Sequence, residues 1–189
     1  MFTDEKVFSS ADEAIKFIME NEKIVGLNAN NISFDGLDIS TKKFYGCTFQ
    51  HCSFNNVKAD KTRFLMCFFD FSKITSVTFI ESNIQCCSFG AATFSDVNFT
   101  NSDMINNNFN GLSTTNVIFD DSDLYTSRFM RTTLTDTSFK NCNIKKVYFY
   151  ESKRSNVNFK LSNTREALFE QNSNSILELD SLTEKDMSL

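Results

Sequence analysis

The sequence predicts an all-β solenoid, a four-sided coil with one short helix at its N-terminal end. Three observations predict it. An apolar residue recurs every five positions from Ile24 to Leu179 with no slip of register, and 17 of the 22 Phe stand at that position. Two residues before each centre lies a small or compact side chain, as at Cys47, Cys52, Val57, Thr62, Cys67 and Ser72. Folded at a period of 20, the columns separate by type: Leu37, Val57, Val77, Val97, Val117, Thr137 and Val157 in one, Cys47, Cys67 and Cys87 in another.

The first element is the helix, in residues 1–23, which lie outside the repeat. Ser10, Ala11, Asp12 and Glu13 form a capping box, with Ser10 as N-cap and Glu13 at the third helical position. Ala11, Ala14, Ile15, Ile18 and Met19 then fall on one helical face. An open solenoid end exposes apolar side chains and unpaired backbone, so it needs a cover. The helix is expected to be that cap; a helix that binds a partner is the other reading.

The coil follows, over 24–179. A period of five fits neither a 3.6-residue helix nor a plain strand. It fits a short extended step and a turn, the step sending two side chains inward around one outward residue. Two residues after the centres stand Gly26, Asn31, Gly36, Gly46, Asn56, Asp96, Asn101 and Gly111, types that tolerate a positive φ at a tight turn. Four pentads per 20 residues make four faces and about eight coils, a rod of roughly 38 Å at strand spacing. Phe79, Phe99, Phe119 and Phe139 stack in one core column, and Phe49, Phe69, Phe89, Phe109, Phe129 and Phe149 in another. Ile84, Met104, Leu124 and Ile144 fill a third. At the C-terminal end Arg154, Thr164 and Asn174 interrupt the apolar position, which predicts looser last coils or an end near residue 170. Residues 180–189 are a tail or a cap, with Ile176, Leu177, Leu179, Leu182, Met187 and Leu189 available as cover or as a dimer contact.

The stretches Ser82-Asn83-Ile84, Ser102-Asp103-Met104, Ser122-Asp123-Leu124 and Cys142-Asn143-Ile144 resemble the repeat A-[DN]-L-x-x of the pentapeptide-repeat family. The resemblance covers 24–179. It implies a right-handed quadrilateral β-helix and, from some relatives, an end-to-end homodimer through the C-terminal end, with a monomer as the alternative. It also implies one function to test, because some members protect type II topoisomerases such as DNA gyrase from quinolones by mimicking DNA.

The residues themselves argue against an enzyme. The single histidine, His51, sits at a turn with no nucleophile or acid–base partner placed beside it by the repeat. No phosphate-binding glycine loop appears. Cys47, Cys52, Cys67, Cys87 and Cys142 hold the small inward position, where cysteine packs as a small hydrophobe; Cys86 alone points out from a turn and is the expected reactive thiol. Neither a metal nor another cofactor is expected. Six cysteines without a basic-then-apolar leader at Met1–Glu5 suggest a reducing, cytoplasmic setting, with a secretion route other than Sec left open. No 18-residue apolar run is present to span a membrane. The net charge of −5 argues against direct nucleic-acid binding.

Two surfaces are candidates. Residues 74–127 hold six acids and no Lys or Arg, between stretches that are net basic. At period 20, Glu81 shares a column with Asp121, Asp103 shares one with Asp123, and Asp120 adjoins them; a plain solvated face is the alternative. The second surface is apolar: Tyr45, Leu65, Ile105 and Tyr125 share an outward column, with Met66, Phe68 and Phe71 beside Leu65. The function expected is a non-catalytic scaffold for a protein partner that the sequence does not identify. DNA mimicry toward gyrase is the alternative, weakened by basic coils on both sides of the acids and by a register with no room for projecting loops.

Overall fold

The computed structural model describes residues 6–8 and 10–169. It is a parallel β-solenoid of about seven turns with one short helix near the N-terminus. The eighth coil expected from the sequence, and the tail at 180–189, lie outside the described residues.

Each coil has four faces. The third carries a seven-stranded parallel sheet of Ser33–Asp35, Ser53–Asn55, Lys73–Thr78, Thr93–Asn98, Ser113–Ile118, Thr133–Ser138 and Lys153–Asn158. The first carries four strands, Lys23–Val25, Lys43–Tyr45, Arg63–Leu65 and Asn83–Gln85. Its column continues through single bridges from Asn83 to Asp103, Asp123, Asn143 and Asn163. The register is 20 throughout, as in Phe44↔Phe64 and Phe94↔Thr114.

Every apolar centre of the repeat from Ile24 to Phe169 is buried. Rings stack up the axis, Phe79 on Phe99 at 4.9 Å, Phe99 on Phe119 at 4.9 Å and Phe119 on Phe139 at 4.8 Å. Neighbouring columns meet edge to face, Phe119 with Phe129 at 5.8 Å and 89°. No described coil holds more than three rings at its four centres: Phe44, Phe49 and Phe54 meet Ala59, Phe64, Phe69 and Phe79 meet Ile74, and Phe129 and Phe139 meet Leu124 and Leu134.

The small inward position also makes hydrogen bonds. Ser82 Oγ donates to the Ala59 carbonyl at 2.9 Å, Ser102 Oγ to Phe79 at 2.7 Å and Ser122 Oγ to Phe99 at 2.8 Å. The cysteines repeat the pattern in sulfur: Cys52 Sγ donates to Ala29 O at 2.9 Å and Cys142 Sγ to Phe119 O at 3.0 Å. Buried cysteine here is a weak donor as well as a small hydrophobe.

Turn chemistry is broader than Gly and Asn. Among the described residues 25 non-glycine turn positions have positive φ, including Thr41, Phe71, Arg131 and Leu161. The ladder holds them: Phe71 N–H donates to Gly90 O at 2.9 Å and Arg131 N–H to Tyr150 O at 2.8 Å. A left-handed L-residue costs roughly 1–2 kcal/mol, which pairing and stacking on both sides offset.

The helix spans Ala11–Glu20, and Ser10 Oγ accepts from Glu13 N–H. Ala14 and Ile18 are buried against the first coil. Met19, expected on the buried face, is 45% exposed; Phe17 packs inward instead, 5.3 Å from Phe8. The helix has no basic residue in its last turn. Lys42 of the second coil supplies the cation, its Nζ donating to Met19 O at 3.2 Å and Asn21 O at 2.9 Å. A short strand the sequence pattern did not reveal, Lys6–Val7, pairs with Leu27–Asn28 and extends the edge.

Arg154 and Thr164 do not break the coil. Arg154 is half-buried, its guanidinium 5.0 Å over the Phe169 ring, and rung pairing runs on to Leu168. The aromatic face accepts the cation where the last described coil is partly open.

Candidate functional site

The five acids stand in the columns the period assigns, and the structure gives each a partner. Glu81 Oε2 lies 3.5 Å from Lys61 Nζ, one coil above. Asp103 Oδ2 accepts from Asn83 Nδ2 at 2.9 Å and Gln85 Nε2 at 2.7 Å. Asp123 Oδ1 accepts from Tyr125 N–H at 2.9 Å and Asn143 Nδ2 at 3.0 Å. Asp121 Oδ1 accepts from Asn141 Nδ2 at 2.7 Å. Asp120 Oδ1 accepts the Lys140 backbone N–H at 2.9 Å, a role Asn30, Asp60, Asp70 and Asn110 play on other coils. Asp103, Asp121 and Asp123 thus belong to amide ladders. Asn101 separates Glu81 from Asp121 in their column, whereas Asp103 and Asp123 are directly adjacent rungs whose charges are flanked, not separated, by the amides of Asn83, Gln85 and Asn143.

The apolar candidates divide in two. Ile105 and Tyr125 are half-buried on the first face and are cut off from Leu65 by Gln85. Leu65, Met66, Phe68 and Phe71 instead form one belt around a single coil. Met66 is 57% exposed, Phe68 42% and Phe71 59%. Tyr45 lies one coil above Leu65, between Lys23 Nζ at 5.4 Å and the Arg63 guanidinium at 5.9 Å.

Two residues complete the belt that sequence reasoning left out of it. His51, exposed at its turn, stacks its ring on Phe71 at 4.9 Å and 6°. The same period of 20 that grouped the acids places it there. Asp70 lies under the belt, accepting from Ser88 Oγ at 2.5 Å and from Gly90 N–H at 3.0 Å. A Cβ at Gly90 would lie 2.6 Å from Asp70 Oδ1, so this glycine admits the carboxylate.

All six cysteines are free thiols; Cys86 is exposed and the other five are buried. Burial pushes the Cys52 thiol up to about 11 and the Cys142 thiol up to about 12. Among the described residues no cluster of His, Cys, Asp and Glu is arranged to hold a metal ion. No helix among them is long and apolar enough to cross a membrane.

Residues 72–111 match the family model described as pentapeptide repeats, in eight copies. A trypsin-treated variant of QnrB1, a plasmid-mediated fluoroquinolone resistance protein, aligns with a TM-score of 0.67 at 17% identity, over 85% of this chain and 87% of that one. A second trypsin-treated variant of QnrB1 aligns with the same score and identity over 85% and 88%. HetL of Nostoc sp. strain PCC 7120, a pentapeptide repeat protein involved in heterocyst differentiation regulation, gives a TM-score of 0.42 at 10% identity over 86% and 94%. No curated protein sequence matches. At 17% identity the likeness to the two QnrB1 variants is one of fold.

Proposed function

We propose that this chain, a pentapeptide-repeat protein by its repeats and its fold, is a non-catalytic scaffold that binds a protein through the belt of Leu65, Met66, Phe68 and Phe71. One observation carries this reading: three large apolar side chains, each about half exposed, lie side by side on one coil of a rod whose core is already full. Grouped apolar exposure of this kind marks a surface that something covers. Aromatic and methionine side chains are the types enriched in interface cores. The double variant Phe68→Ser/Phe71→Ser tests it. Immobilised wild-type protein should enrich a discrete protein from the native cell at least about tenfold over the variant, a difference of ~1.4 kcal/mol. Equal enrichment by the two would end the proposal.

DNA mimicry toward a topoisomerase, the other function implied by the family resemblance, is the weaker reading. The acidic strip is short, Glu81 is paired with Lys61, and Lys145 and Arg165 follow on the same face. A gyrase supercoiling assay with quinolone should therefore show no protection.

A further inference from the structure

The corner between the second and third faces carries His51, Phe71, Ala91, Gly111, Arg131 and Glu151 in successive coils. Large side chains stand at both ends of this column and almost nothing in the middle. The gap opens into a notch of about 380 Å³ lined by Asn110, Gly111, Met130, Arg131, Tyr150 and Glu151. Backbone geometry does not require the glycine. Gly111 has φ +73, but Ala91 and Arg131 hold φ +53 and +57 at the same corner with side chains, and Met66 and Leu161 hold φ +55 and +64 at others. Nor is space lacking, since a Cβ at Gly111 would meet Ala91 atoms at an ordinary 3.6 Å. What a side chain there would remove is the notch.

We propose that the Gly111 notch receives one aromatic side chain of a protein partner. The lining selects that class. Met130 and Tyr150 form an apolar wall, and a thioether and a phenol ring both favour contact with another ring. Asn110 Oδ1 accepts the Met130 N–H at 3.0 Å, which fixes the backbone of that wall. Arg131 stands at the rim with its Nε 2.7 Å from Glu151 Oε2. The pair presents a held guanidinium to the negative face of a ring while cancelling net charge, which disfavours a charged group. The notch is open to solvent along one side, which suits a side chain carried on a chain more than a free molecule needing enclosure. It lies two coils, about 10 Å, below Phe71 on the same corner. A partner seated on the belt therefore reaches it, and in that respect the inference rests on the scaffold reading.

The test uses fragments, so it reads the notch independently of the belt. N-acetylphenylalaninamide and N-acetylleucinamide are titrated into protein carrying ¹³C-methyl methionine, and the Met130 methyl resonance is followed. The phenylalanine amide should shift it saturably with a Kd of about 1 mM or weaker, several-fold tighter than the leucine amide. Gly111→Met should abolish the shift and lower stability by no more than the cost of one left-handed L-residue, with the protein still folded because Ala91 and Arg131 hold side chains at the same corner. Phe71→Ser should retain it. No shift at Met130, an equal shift in Gly111→Met, or equal binding of the leucine amide would overturn the proposal. Loss of the shift in Phe71→Ser would assign the ring to the belt and likewise overturn the notch, without touching the scaffold reading.

Discussion

Two coils three turns apart, 62–81 and 122–141, are nearly the same object inside and different objects outside. Inward, Thr62 matches Ser122, Phe64 matches Leu124, Cys67 matches Ser127, Phe69 matches Phe129 and Phe79 matches Phe139, all buried. Outward, Arg63 becomes Asp123, Met66 becomes Thr126, Phe68 becomes Arg128 and Phe71 becomes Arg131. The inward set is constrained by volume and by the donor to the carbonyl of the coil above. The outward set obeys no such rule, so the belt at Met66, Phe68 and Phe71 is not something the fold needs. A surface the fold does not need is where a binding function can be written.

The largest effects should come from the shared interior. Phe79→Ala and Phe139→Ala should each cost about 3–5 kcal/mol in urea denaturation, and by similar amounts, since both leave a ring-sized cavity in a stack. A difference of more than about 2 kcal/mol would show that the two coils are not equivalent inside. Ala59→Phe should cost about 1–3 kcal/mol by overpacking a coil that already holds three rings.

The buried thiols set a pH dependence. The folded values of Cys52 and Cys142, about 11 and about 12, lie above the ordinary 9.0. Their contribution is complete below about pH 9 and is lost as pH rises through the folded values. The melting temperature should thus fall between about pH 9 and 12, and alkylation of native protein at neutral pH should find Cys86 alone. Rapid modification of all six would contradict the burial.

The smallest effects come from exchanges between the coils. Cys67→Ser imports the side chain of Ser127, which donates to Met104 O at 2.9 Å in the equivalent place, and should cost no more than about 1 kcal/mol. Phe68→Arg with Phe71→Arg imports Arg128 and Arg131 and should cost no more than about 1 kcal/mol, the loss of the Phe71 stack on His51. A large loss from this surface exchange would mean the belt serves the fold, and the comparison would fail.

The interior was legible in the sequence because one inward apolar slot recurs every five residues, and apolarity is a property of residue type. Phe17 and Met19 show the limit: both fit a loose helical periodicity, and only the position of Phe8 decides which one is buried. Arg154 reads as a break because its charge is visible and the ring of Phe169 beneath it is not. The acids were legible as columns but not as ladder members, because that depends on which way Asn83, Gln85, Asn141 and Asn143 turn their amides. His51 was within reach, since Phe71 follows it by 20 residues.

The claim that the belt, and not the rod as a whole, is the working surface can be tested by site-specific photocrosslinking in the native cell. Benzoylphenylalanine placed at Phe71 should capture a discrete protein adduct. The same group at Thr133, exposed on the third face, should not. Identical adducts from both positions, or none from Phe71, would contradict the account.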